Sequence, residues 1–129
     1  MKCISLRPDW ADLVASGDKK TEFRSWSTTH RGDLLIHANK NLPKAAKGLL
    51  VSGYCIAVVN LFDVKKNKTG YSWKLNNLRY IKPIKINGQQ RLFNVDDHLI
   101  QYLDIKDYES LLEYWHDLGL INLDLSKEC

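Results

Sequence analysis

A chain of 129 residues with 44% hydrophobic and 26% charged content has the make-up of one globular domain, large enough to build a core without disulfides or a structural metal. Its cysteines, Cys3, Cys55 and Cys129, are three and scattered, which excludes a disulfide framework, and together with four histidines they show no metal-ligand spacing. The net charge of +4 hides an asymmetry: residues 1–95 carry 17 Lys or Arg against 6 Asp or Glu, whereas residues 96–129 carry 2 against 9. A basic body of this kind points to a polyanionic partner. Lys65, Lys66 and Lys68 read as a solvated turn within it. No secretory leader pattern follows Met1-Lys2, and the strongest apolar run, Tyr54 to Phe62, is too short to span a bilayer. A soluble cytoplasmic protein with no metal and no cofactor is expected. Cys3 and Cys55 fall in strands as small core residues, and Cys129 ends the chain.

In chain order, Lys2 to Leu6 alternates as a first strand. Pro8 opens a short helix through Ser16. Proline suits a first helical turn, and Asp9 and Asp12 suit its positive end. Trp10, Leu13 and Val14 are spaced as that helix's apolar face, and Gly17 stops it. Thr21 to Trp26 reads as a strand with Glu22, Arg24 and Trp26 on one face and Thr21, Phe23 and Ser25 on the other. A polar turn over Ser27 to Gly32 leads to a strand over Asp33 to Ala38. Asn39 to Gly48 is a loop with one helical turn at Lys44 to Lys47. Ser52 to Phe62, rich in Val, Ile and aromatics, is the longest strand. Asn67 to Gly70 is a turn and Tyr71 to Leu75 a strand. Arg79 to Ile86 is extended, with Pro83 signalling an edge or a bulge. Asn87-Gly88 is a tight-turn pair, and Arg91 to Val95 is a last short strand.

Six or more short strands with little helix between them predict an α+β fold built on a small mixed β-barrel, with one short helix after the first strand. From Asp96 the character changes. Asp107 caps a helix whose Leu111, Leu112, Trp115 and Leu118 form an apolar stripe ended by Gly119. The expected organisation is a barrel over residues 1–95, with an acidic, partly helical extension over 96–129 packed on the same domain. That acidic helix is also a candidate surface for a protein partner, or a plug for a basic cleft.

The run from Gly17 to His37, GDKKTEFRSWSTTHRGDLLIH, concentrates the chemistry. Cations that hold phosphate (Lys19, Arg24, Arg31), an indole that stacks a base (Trp26) and small polar groups that read base edges lie within about one hairpin. Glu22 is suited to orient Lys19 and Arg24, or to accept a hydrogen bond from the exocyclic amine of a base. His30 precedes Arg31, where it can meet phosphate or serve as acid or base. The Arg31-Gly32 turn can present an amide to an anion. Ser5 and Arg7 flank the helix start and are further candidates to face a cleft. His37 ends a strand as a structural histidine. Trp10 and Trp115 are expected in the core, and Trp73 in the core or a cleft wall.

Gly17, Lys19, Glu22 and Arg24 match the GxKxxExR signature of the ASCH domain family. The resemblance extends over SLRPDWADLVASGDKKTEFRSW, THRGDLLIHA, GYCIAVVNLFDV and GYSWKLNNLRYIKPIKINGQQRLFNV, which follow one another in the family's order across about residues 2–95. They look most like the branch of small bacterial proteins and the C-terminal domain of activating signal cointegrator. The family usually shows Pro-Trp where this chain has Pro8-Asp9-Trp10, and the acidic tail falls outside the resemblance.

The resemblance implies a PUA-like barrel with a cleft beside the first helix, lined by Lys19, Glu22 and Arg24, and a role in binding RNA or a nucleotide, in translation or transcription-linked regulation. It also implies an alternative. One branch of the family hydrolyses the acetyl amide of N4-acetylcytidine with a Thr nucleophile at the position of Glu22, and ribonuclease activity is attributed to other members. This chain keeps Lys19 and lacks that hydroxyl; Thr21 is adjacent but on the opposite strand face. If the chain is an enzyme, Lys19 is the base and Glu22 its acid–base partner. Binding and hydrolysis both remain open at this level.

Overall fold

The computed structural model describes residues 1–122; Cys129 and the end of the acidic segment lie outside the described residues. The elements are β1 (Lys2–Leu6), α1 (Pro8–Ser16), β2 (Thr21–Arg24), β3 (Gly32–Ala38), a short 3-10 turn (Lys44–Ala46), β4 (Tyr54–Lys66), β5 (Tyr71–Lys85), β6 (Phe93–Asn94), a second 3-10 turn (Asp97–Leu99) and α2 (Tyr108–Asp117). Among the described residues, the strands form one mixed sheet in the order β2-β5-β4-β3-β1-β6. β1 runs parallel to β3, and every other pairing is antiparallel. The expected barrel is therefore not closed: β2 and β6 remain as edges. No helix here is long and apolar enough to cross a membrane, among the described residues.

The sheet carries apolar side chains on both faces. Along β1 and β3, Ile4, Leu6, Leu34, Ile36 and Ala38 enter one core, while Cys3 and Leu35 enter the other. This period-2 division explains why β3 is buried at every position from Leu34 to Ala38. The larger core is roofed by the two helices. From α1 it takes Ala11, Val14 and Ala15, and from α2 it takes Leu111 and Trp115.

Trp10 and Leu13 are not on the buried face of α1, contrary to the sequence expectation. Trp10 is 41% exposed and Leu13 37%. The helix turns its small residues to the sheet, because Ala11 and Ala15 let its backbone approach closely where an indole would hold it off.

Two other differences come from pairing. β4 continues past Phe62 to Lys66, so Lys65 and Lys66 sit in a strand opposite Ser72 and Tyr71 rather than in a turn. β5 is one strand where the sequence suggests two, because bulges absorb its irregular residues. Asn77, at φ 51, lies in the shift opposite Val58–Asn60, and Pro83 lies in the shift opposite Cys55–Ala57.

The segment after Val95 is held at several points. Tyr102 bridges Ile81 of β5, and the Tyr108 hydroxyl donates to Asp12 Oδ1 of α1 at 2.5 Å. Asp107 caps α2 by accepting from the Ser110 amide, as its position suggests. Burial pushes the Asp12 carboxyl above its usual range, and the Tyr108 hydrogen bond opposes that push. Tyr108→Phe should cost about 2 kcal/mol of stability at pH 7, where the carboxylate is charged. Removing the donor raises the Asp12 pKa further, so the deficit relative to the parent protein should shrink as the pH falls through the carboxylate range. Urea unfolding of both proteins at pH 7 and pH 4 reads this directly.

Candidate functional site

The site follows from the open sheet. β2 is the first strand in the order and β1 the fifth, yet the Arg24 guanidinium donates from Nη2 to the Ser5 carbonyl at 3.2 Å. The sheet curls until its β2 edge nearly meets β1, and the remaining gap is a cleft of about 260 Å³. Ser5 and Arg7 line it from the end of β1, Trp10 from α1, Glu22, Phe23 and Arg24 from β2, and Asn39 from the end of β3.

Glu22 is buried, with Oε1 accepting from the Phe23 amide at 3.0 Å. Its contact with Arg24 is loose, 3.9 Å from Nε to Oε1. Glu22 Oε2 and Arg24 Nε are both shielded from solvent and have no hydrogen-bond partner among the described residues. Leaving a buried polar atom unpaired costs about 1–3 kcal/mol, more if it is charged. The cleft wall thus holds one unused acceptor beside one unused donor.

Lys19 does not pair with Glu22. Its Nζ stands over two rings, 4.7 Å from the Trp10 centroid and 5.2 Å from Phe23. The Arg7 guanidinium covers Trp10 at 5.4 Å. Trp10 and Phe23 are 41% and 61% exposed, so the cleft mouth is an aromatic rim interleaved with cations. Arg7 is also bonded to Asp9 through two nitrogens, which holds the Asp9 carboxyl below its usual range. Arg7, Lys19 and Arg24 are therefore set against Asp9 and Glu22, a mild positive balance.

Ser5 is fixed from below. His37 is fully buried, and its Nε2 lies 3.0 Å from the Ile86 carbonyl, which can only accept. The ring is thus protonated at Nε2, and in its neutral form Nδ1 accepts from the Ser5 hydroxyl at 2.8 Å. Donating that hydrogen leaves the lone pairs of Ser5 Oγ as acceptors. Gly88 lies against this pair: a Cβ there would stand 2.6 Å from Ser5 Oγ and 3.1 Å from His37 Cε1. The Asn87-Gly88 pair therefore serves close approach and not a hairpin, because β6 pairs with β1 and not with β5.

Of the residues singled out in the sequence, Ser5, Arg7, Glu22 and Arg24 meet in the cleft, and Lys19 stands at its rim. Trp26, His30 and Arg31 do not line it. Trp26 packs edge-on against Trp73 at 4.8 Å under the Arg91 guanidinium, and its carbonyl accepts from Trp73 Nε1. His30 Nε2 bonds the Asp33 carbonyl, and Arg31 bonds the carbonyls of Thr28 and His30. Both are occupied in ordering their own loop. None of the acidic residues between 96 and 122 lines the cleft, so the plug considered for the acidic helix is not formed by the described residues.

Trp10, Phe23 and Asn39 were missed as cleft residues. Phe23 carried a readable signal: a large apolar side chain on a strand face otherwise made of Thr21 and Ser25 has no core to enter.

An open mixed sheet, one helix after the first strand and a cleft at the unclosed seam define a PUA-like α+β domain. The ASCH domain profile matches residues 4–123, and the chain belongs to the ASCH domain family. That match takes in most of the acidic segment, which the sequence reading placed outside the resemblance. Activating signal cointegrator 1 of Homo sapiens and of Mus musculus are each 46% identical over 41 residues, which is 32% of this chain and 7% of those proteins. The crystal structure of ASCH from Zymomonas mobilis aligns with a TM-score of 0.55 at 16% identity, covering 87% of this chain and 93% of that one. A variant of the same protein aligns with the same TM-score at 15% identity, over 88% and 94%. These structures share the fold.

Gly88→Ala should cost about 1–3 kcal/mol, because its methyl has to displace Ser5 or His37; thermal or urea unfolding measures the loss. His37 should hold a second proton more weakly than a free imidazole. Burial lowers its pKa from the usual value, so stability that is complete above about 6.5 is lost as the pH falls through the folded-state pKa. Nitrogen NMR of the neutral ring should show the Nε2-protonated tautomer; a neutral ring protonated at Nδ1 would contradict the assignment.

Proposed function

We propose that this domain binds RNA or a nucleotide by taking a nucleobase into the seam cleft. The observation that carries this reading is the rim: two exposed rings, Trp10 and Phe23, with the Lys19 ammonium between them, at the mouth of a cleft of about 260 Å³. Exposed aromatic faces interleaved with cations suit base stacking beside a phosphate. Beneath them, Glu22 supplies an acceptor for a base amine and Arg24 a donor for a base oxygen or ring nitrogen. Membership in the ASCH family supports a nucleic-acid ligand. Trp26, His30 and Arg31 have no part in this version of the site.

Hydrolysis is the less favoured reading. The Lys19 ammonium is seated on two aromatic faces, contacts that suit its charged form and not a base. Glu22 stands where the amide-hydrolysing branch has its Thr nucleophile.

Binding of short single-stranded RNA, followed by fluorescence anisotropy with product analysis of the mixture, tests the proposal. Trp10→Ala and Phe23→Ala should each weaken binding by about 1–3 kcal/mol. Trp26→Phe should leave it unchanged. A folded protein that binds neither RNA nor nucleotides would reject the reading, and product formation abolished by Lys19→Ala would replace it with the hydrolase.

A further inference from the structure

The seam cleft does not end at Ser5 and Asn39. Both residues also line a second, more open cavity of about 410 Å³, whose remaining walls are Lys40 and the segment Asn87 to Gln90. The two cavities therefore adjoin at Ser5 and Asn39, and a ligand that spans both would treat them as one groove. The first lies below the range of about 300–1,000 Å³ usual for small-molecule sites and suits a single base. The second lies within that range and differs in chemistry. It has no aromatic wall, one cation and a set of side-chain amides.

The far wall is held in place by several tethers. His37 Nε2 donates to the Ile86 carbonyl, Lys40 Nζ donates to Asn87 Oδ1 at 3.2 Å, and Gly88 packs without a Cβ against Ser5 and His37. Gln89 and Gln90 are exposed, and among the described residues their side-chain amides take no hydrogen bond from the protein. An amide both donates and accepts, so such a wall matches the mixed edges of a base or the hydroxyls of a sugar. Lys40 is a point charge suited to a phosphate.

We infer that the groove holds two successive nucleotides, the first base in the seam cleft and the next nucleotide along Lys40 and Asn87 to Gln90. The ligand is then an oligonucleotide and not a free nucleoside. This rests on the nucleobase reading of the seam cleft and adds the length of strand that the protein requires.

Calorimetric titration of the full chain with the four ribonucleoside 5′-monophosphates and with the matching homodinucleotides tests it. The dinucleotide should bind at least about ten-fold more tightly than its mononucleotide, the contribution of one added hydrogen bond between a charged group and the ligand. In Lys40→Ala and Gln89→Ala, both at exposed positions, that ratio should fall toward one. Mononucleotide binding with a ratio near one in the parent protein would overturn this inference and leave the seam cleft as a nucleobase site. Absence of binding by both classes would overturn it together with the proposed function. A ratio that survives both substitutions would also overturn it, because the gain would then come from elsewhere on the surface.

Discussion

β1 runs parallel to β3, and the rest of the architecture depends on that pairing. A parallel neighbour cannot be reached by a tight turn, so the chain has to cross over before β3 begins. Here the crossover contains both α1 and β2. α1 covers one face of the sheet. β2 is carried past its own neighbours in sequence and pairs with β5, the other end of the β3-β4-β5 meander. Two consecutive parts of the chain, β1 and β2, thus end on opposite sides of a curled sheet. The seam between them is bridged by the Arg24 guanidinium on the Ser5 carbonyl.

That seam is where polar chemistry tolerates burial. A closed barrel would pair the β2 edge with another strand. An open one leaves space that the protein fills with charged and aromatic side chains from β1, α1 and β2. Glu22 and Arg24 are held there with one polar atom each unpaired among the described residues, a cost that well-packed apolar residues would avoid. The GxKxxExR spacing follows from this geometry. Gly17 ends α1 with a left-handed φ of 85, Lys19 reaches back over the exposed ring of α1, and Glu22 and Arg24 alternate along β2 toward the gap.

Local order was legible in the sequence because local forces set it. The bounds of β1 and α1, the Gly17 stop and the Asp107 cap all follow from propensity, capping and period. The signature pointed to Glu22 and Arg24 as cleft residues, and the place of Ser5 and Arg7 beside the helix start made them candidates to face it. The orientation of α1 was not legible. Trp10 is the most apolar-looking residue of the helix, yet the close approach of Ala11 and Ala15 to the sheet decides which side faces inward. Nor was the role of Trp26, since strand alternation ends at Arg24 and the indole turns onto Trp73.

The sequence by itself determined the fold class, the family and the chemical types available near Gly17 to Arg24. These rest on short-range periodicity and on a motif whose members lie within eight residues of one another. Only the tertiary structure decided which of those groups share a space. His37 beneath Ser5, Gly88 against both, Phe23 and Trp10 about Lys19, and Lys40 bonded to Asn87 are brought together by strand order and by curl of the sheet. Those are long-range contacts, set by how the edges meet, and no local pattern encodes them.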